Sequence, residues 1–192
     1  MKTLLITGFE PFGGQPVNPS WEAVALLPET VGDWQLCKMR IPVEYSTAVR
    51  LILETAEALK PDAIISVGQA GGRSAVTPEV IGINLRETAI ADNAGRLCSG
   101  EPIDPEGPDG IFSTLPVREM VASITGKGIP AKLSYSAGAY VCNDVLYTLL
   151  QRFEDTPVRA GFIHVPFIPG QGEPNMVLSD IVAGLEAAIA AL

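Results

Sequence analysis

The sequence predicts an α/β fold: a single-domain three-layer α/β/α sandwich, with a mostly parallel twisted sheet and helices on both faces. Three observations lead there. Apolar strand-like runs alternate along the chain with segments whose apolar residues recur at helical spacing, the pattern of βαβ crossovers. Capping residues, glycines and prolines stand at the joins between them. The chain has 192 residues, 47% hydrophobic and 18% charged, enough to bury one sizeable core, and it shows neither internal repeat nor linker. One domain spanning 1–192 is expected.

Lys2 to Thr7 is an apolar run stopped by Gly8. Asn18 then offers a helix cap with Pro19 at the first helical position, and Trp21, Val24, Ala25 and Leu27 form an apolar face. Trp34 to Ile41 reads as a second strand. Tyr45 to Lys60 is helical, carrying Ala48, Val49, Ile52, Leu53, Ala56 and Leu59 before Pro61 ends it. Asp62 to Val67 is a third strand and Val76 to Leu85 an extended stretch. Residues 86 to 115 hold so much Gly, Pro and Asp that they read mainly as a long loop. Pro116 to Ile124 is helical, Lys132 to Ser136 extended, Val141 to Phe153 helical and Pro157 to Val165 extended. Val177 to Leu192 closes the chain as an amphipathic helix. In such sheets ligands bind beyond the carboxyl ends of the strands, so the segments after Thr7, Val67, Ser136 and Val165 are expected to gather in one region.

Composition excludes several roles. The net charge of −9 repels a polyanion and the basic residues form no stripe, so no nucleic-acid partner is expected. The apolar stretches are short and interrupted, so no membrane span is expected. Cys37, Cys98 and Cys142 are an odd count without a CxxC, which argues against a disulfide framework or a cysteine zinc site.

The chemistry gathers around His164, the only histidine. It sits in the run Ala160-Gly161-Phe162-Ile163-His164-Val165-Pro166-Phe167, where a strand is ending. It is the default proton shuttle near neutral pH, the alternative being a structural histidine with both ring nitrogens satisfied. Cys142 falls where a strand has ended and a helix begins. A helix N-terminus favours a thiolate there and offers N–H groups to an oxyanion; the alternative is a small core hydrophobe, the reading given to Cys37. A Cys-His pair needs a third group to fix the ring. Glu79, a lone carboxylate in an apolar extended stretch, must have a partner: this ring, or Arg73 or Arg86 in a structural ion pair.

In four blocks the chain resembles the pyroglutamyl peptidase I family of cysteine peptidases. These are Gly8-Phe9-Glu10-Pro11-Phe12-Gly13-Gly14 with Asn18-Pro19-Ser20; Gly68-Gln69-Ala70-Gly71-Gly72-Arg73 leading to Glu79; Ala137-Gly138-Ala139-Tyr140-Val141-Cys142-Asn143; and Phe162-Ile163-His164-Val165-Pro166. They keep family order and span most of the chain. The resemblance implies hydrolysis of the bond after an N-terminal pyroglutamyl residue, with Cys142 as nucleophile, His164 as acid-base and Glu79 orienting it. It also implies an α/β/α fold, no cofactor, a cytoplasmic location, peptides with N-terminal pyroglutamate as partners, and a homotetramer.

The first block lacks the lysine of a phosphate loop and carries an acid, so phosphate binding is not expected. Similar basic residues would be needed for nucleoside phosphorylase chemistry, whose fold is comparable. A flat, uncharged lactam ring suits an apolar slot with a few fixed polar partners. Phe9 and Phe12 resemble the family's slot walls, and the Gln69 backbone and the Asn18 region its polar contacts. Ordinary core packing for the phenylalanines and a plain helix cap for Asn18 are the alternatives. The chain departs from the family at Glu87-Thr88-Ala89-Ile90-Ala91-Asp92-Asn93, where relatives read Asp-Ala-Arg-Ile-Pro-Asp-Asn: Ala89 replaces an arginine thought to support oxyanion or substrate. A homologue that binds pyroglutamyl peptides but turns them over weakly is therefore the second reading.

Overall fold

The computed structural model describes all residues, 1–192. Its main sheet has six strands in the order β2-β3-β1-β4-β10-β5. The four central ones, β1 (Lys2–Phe9), β3 (Trp34–Ile41), β4 (Ala63–Gln69) and β10 (Arg159–Val165), run parallel. Two-residue strands, β2 (Thr30–Val31) and β5 (Thr77–Pro78), close the edges antiparallel. β1, β4 and β10 are nearly continuous apolar runs because helices cover both of their faces. On one side α1 (Pro19–Leu26), α3 (Val117–Gly126) and α5 (Leu178–Ala190) pack over Leu4, Ile6, Ile65, Val67, Ile163 and Val165. On the other, α2 (Thr47–Leu59) and α4 (Val141–Phe153) pack over Leu5, Ile64, Ala160 and Phe162. This is the expected three-layer α/β/α sandwich. No helix is long and apolar enough to cross a membrane.

The alternation within β10 has a functional consequence. Ala160 and Phe162 face α4, so His164, two residues further on, faces it too. In register His164 stands between Gly68 of β4 and Thr77 of β5. The edge strand β5 therefore brings the residues after it alongside the end of β10.

Two expectations need correction and one needs refinement. Gly8 does not stop β1, which continues to Phe9. It is glycine because α1 presses against it: a Cβ there would lie 2.7 Å from Trp21 Cα and 2.8 Å from Ser20 O. The stretch from 86 to 115 is mainly loop, as expected, but not wholly so. It holds β7 (Arg86–Glu87), β8 (Ser99–Glu101) and β9 (Gly110–Phe112), with β7 paired to β8 and β9 paired to β6 (Ile81–Ile83). Pairings this short and this distant leave no periodic trace in a Gly- and Pro-rich sequence. Lys132 to Ser136 forms no strand; the region touches its neighbours through isolated bridges, Val76 to Ala131 and Glu79 to Ser134.

The contact at Gly8 is backbone against backbone, so flexible side chains cannot relieve it. Gly8→Ala is expected to destabilise the fold by about 1–3 kcal/mol, read as a lowered urea midpoint with unchanged m-value. An unchanged midpoint would mean that α1 packs more loosely than described.

Candidate active site

Three ends of the fold deliver the three candidate groups. Cys142 is in the first turn of α4, His164 is near the end of β10, and Glu79 follows β5 with its N–H donating to Phe162 O at 2.9 Å. His164 Nδ1 lies 2.7 Å from Glu79 Oε1. Gly68, opposite His164, has no room for a Cβ, which would lie 2.7 Å from the Phe162 ring and 3.0 Å from Cys142 Sγ. The sulfur thus rests on the backbone of β4, on the sheet face that carries His164. The one side-chain hydrogen bond of the imidazole is to Glu79, and none joins it to the thiol. Cys-His hydrogen bonds of this kind commonly tighten only when substrate is bound.

Glu79 is completely buried, and of the three partners weighed for it the ring and Arg73 are both present. Arg73 Nη1 donates to the same Oε1 at 2.7 Å. Arg86 instead pairs with the buried Asp144, Nε to Oδ1 at 2.7 Å. Burial pushes the Glu79 carboxyl upward, but hydrogen bonding and charge from His164, with help from Ser134 and Arg73, more than offset this and hold it below the usual carboxylate range. Burial dominates for His164, which is held below its ordinary value despite Glu79. Cys142 departs from expectation. Burial first, then the Glu79 charge, push its thiol up to about 12, against the pull of Arg73 and its own backbone N–H. The resting site is therefore a neutral thiol and a neutral imidazole beside an ionised carboxylate.

That protonation pattern fixes the ring. With Glu79 ionised, Nδ1 carries the proton and donates it to Oε1, leaving the Nε2 lone pair free. At the start of α4, Asn143 N and Asp144 N both donate to Tyr140 O, whereas the N–H groups of Val141 and Cys142 have no backbone acceptor. As unsatisfied helix-terminal donors they are free to meet an incoming acceptor. Asn143 acts structurally: its side chain accepts from Ile83 N and donates to Ile83 O and Leu85 O, binding α4 to β6.

A slot opens beside the thiol, lined by Phe9, Phe12, Asn18, Val43, Gln69, Tyr140 and Cys142. The four expected slot residues are all there, together with Val43 and Tyr140, which sequence reasoning did not single out. Tyr140 stands in the block that contains Cys142 and could have been found as the residue entering the cysteine helix; Val43 carried no signal. No lining residue is charged, since burial pushes the Tyr140 hydroxyl up to about 12. Asn18 does cap α1, accepting from Ser20 N at 3.1 Å, and its Nδ2 donates to Glu10 O at 2.9 Å. The cap and the slot wall are the same residue. The Gln69 side chain accepts from Gln171 Nε2 at 3.4 Å, and the residue lines the slot. Ala89 is exposed in a turn where Thr88 Oγ1 accepts from Ile90 N, and both candidate substitutes for the missing cation, Arg73 and Arg86, are engaged elsewhere.

A family model described as pyroglutamyl peptidase matches residues 1–192. The chain belongs to the pyroglutamyl peptidase family. It is a cysteine peptidase of the pyroglutamyl peptidase I type. A pyrrolidone-carboxylate peptidase of Erwinia tasmaniensis is 43% identical over 195 residues, covering 98% of this chain and 92% of the relative. One of Bacillus thuringiensis is 42% identical over 197 residues, with the same coverage of 98% and 92%. The crystal structure of Bacillus amyloliquefaciens pyroglutamyl peptidase I superposes with a TM-score of 0.96 at 39% identity, over 100% of this chain and 96% of that one. As a family member, then, this chain has a neutral slot beside its thiol and alanine at 89.

Because His164 is the sole histidine, its linkage to stability can be isolated. A folded value below the unfolded one means the unfolded chain binds the proton first, so stability is complete above the unfolded value and declines as pH falls from about 6.5. A fall in Tm on going from about pH 7.5 to 6 is expected, and His164→Gln should largely remove that slope. A Tm that rises over this interval would reverse the assigned direction.

Proposed function

We propose that the chain is an omega-peptidase that hydrolyses the bond after an N-terminal pyroglutamyl residue, with Cys142 as nucleophile and His164 as general acid-base. Glu79 serves as the residue that holds the ring. The observation that carries this reading is the 2.7 Å contact between Glu79 Oε1 and His164 Nδ1, on the same sheet face as a cysteine in the first turn of a helix. With Nδ1–H engaged, Nε2 takes the thiol proton as sulfur attacks the scissile carbonyl. Transfer coupled to attack suits a thiol whose resting value is high. The tetrahedral oxyanion lies toward the Val141 and Cys142 N–H groups. The imidazolium then protonates the departing amine, leaving a pyroglutamyl thioester. Water, deprotonated by the same Nε2, hydrolyses the thioester and regenerates the thiol.

The slot explains selection. Phe9, Phe12, Val43 and Tyr140 offer apolar surface to a flat lactam, and Gln69 and Asn18 offer its polar contacts. A free amino terminus would bring an ammonium into a slot without a counter-ion, which is expensive. The cytoplasmic location and the homotetramer belong to the same reading.

Release of fluorophore from a pyroglutamyl amide is expected to fall at least roughly a thousandfold in Cys142→Ala, with the fold intact by circular dichroism. Equal hydrolysis by that variant would refute the nucleophile. The corresponding amide with a free amino terminus should be a poor substrate for the parent enzyme.

The second reading, a binder with weak turnover, is favoured by one observation: Arg73 and Arg86 are both held in ion pairs, so no cation stands in for the family arginine. On that reading Ala89→Arg raises kcat by about tenfold or more. An unchanged kcat would mean that the backbone donors suffice without it.

A further inference from the structure

Arg73 is a charged residue that touches the supports of both proposed reacting groups, His164 and Cys142. Its Nη1 donates to Glu79 Oε1 at 2.7 Å and to Thr77 Oγ1 at 2.6 Å, and its Nη2 donates to Ser136 O at 3.0 Å. Two of these partners support His164 and the third leads to Cys142. Glu79 holds the imidazole. Thr77 pairs with His164 across the sheet edge, and its hydroxyl donates to the His164 carbonyl at 3.3 Å. Ser136 opens the turn that leads to Cys142; its hydroxyl accepts from Gly138 N at 3.2 Å.

We propose that Arg73 is a positioning residue for the peptidase reaction, acting through Glu79 to lock the carboxylate against His164 while tying the turn before Cys142 to the same edge. This deepens the triad reading above and rests on it. Geometry supports it first. Glu79 Oε1 receives both His164 and Arg73, while Oε2 is buried without a hydrogen-bond partner. With Oε2 held by no strong donor and Ser134 the one further group acting on the carboxylate, the two donors on Oε1 do most to stop it from rotating about its terminal bond, and that torsion is soft. Take Arg73 away and the imidazole, with Ser134, must hold a buried charge in place. A planar guanidinium fork reaches three acceptors on two segments at once, which an ammonium cannot match. The side chain is mostly buried, 23% exposed, so this is not a loose surface pair.

Charge gives a second readout. The titratable groups that act on His164 are Glu79 and Arg73, and those that act on Cys142 are the same two. Arg73 holds the imidazole value down and the thiol value down. Its removal therefore raises both, and the acid limb of kcat/KM moves to higher pH.

The test compares Arg73→Gln, Arg73→Lys and Glu79→Gln, singly and with Arg73→Gln added to Glu79→Gln, on a pyroglutamyl amide, with Cys142→Ala as control. Arg73→Gln is expected to lower kcat roughly ten- to a hundredfold, with KM changed by less than about threefold, and to shift the acid limb upward. Arg73→Lys keeps the charge and so the limb, but loses the fork, so kcat stays reduced. In the Glu79→Gln background the loss from Arg73→Gln should shrink, because the two act through one oxygen. The proposal is overturned if Arg73→Gln leaves kcat and the limb unchanged, or if its effect is undiminished in the Glu79→Gln background. It is also overturned if Arg73→Lys matches the parent in kcat. Should Arg73→Gln not fold, Arg73→Lys alone decides by its kcat. Activity retained in Cys142→Ala would instead strike at the triad itself, so the two failures are told apart.

Discussion

A single oxygen, Glu79 Oε1, carries two charge-assisted hydrogen bonds in a buried position, one to His164 and one to Arg73, both at 2.7 Å. An ionised carboxylate buried this completely is tolerable only when its partners are held in place. Much of the local architecture can be understood as meeting that demand. The edge strand β5 is only two residues long, yet it sets Thr77 against His164 and lets Glu79 N–H bond to Phe162 O. The glycine at 68 clears space where the sulfur, the Phe162 ring and the backbone converge. The ring of Phe162 lies 4.7 Å from that of His164, covering the imidazole from within the sheet face.

The competition between burial and the helix terminus shapes the chemistry. A helix N-terminus stabilises a negative charge by about 0.3–1 kcal/mol in ordinary settings. Raising the Cys142 thiol from 9.0 to about 12 corresponds to about 4 kcal/mol against the thiolate, so burial wins at rest. On the proposed reading the site works as a base-assisted thiol whose ring is prepared in advance: one nitrogen engaged by Glu79, the other bare. On that same reading the dipole and the N–H groups of Val141 and Cys142 come into use where charge moves onto the substrate oxygen.

Long elements were legible because periodicity survives in them. The strand Trp34–Ile41 and the helix Val141–Phe153 have the same bounds in the sequence reading and in the fold. The fold class followed from their alternation, and the meeting of the strand ends followed from the fold class: Phe9, Gln69 and Cys142 line one slot. What stayed hidden was set by contacts between distant segments. Gly8 looked like a stop and is a close approach of α1. The ribbons formed by β6 with β9 and β7 with β8 are too short to leave a pattern. The elevated thiol value depends on how thoroughly neighbouring elements cover Cys142, which its position at a helix terminus does not reveal. Arg73 and the ring stood as rival partners for Glu79 in the sequence, yet both bind it, because one carboxylate oxygen has two lone pairs.

The central claim is that Glu79 holds the sole imidazole with its proton on Nδ1 and leaves Nε2 bare. Nitrogen-15 NMR of histidine-labelled protein tests it directly, since one histidine gives one pair of ring signals. At neutral pH the expected result is a neutral ring protonated at Nδ1, with that proton strongly hydrogen-bonded and the Nε2 resonance that of an unprotonated nitrogen. A ring found protonated at Nε2 at neutral pH, in either its neutral or its cationic form, would contradict it.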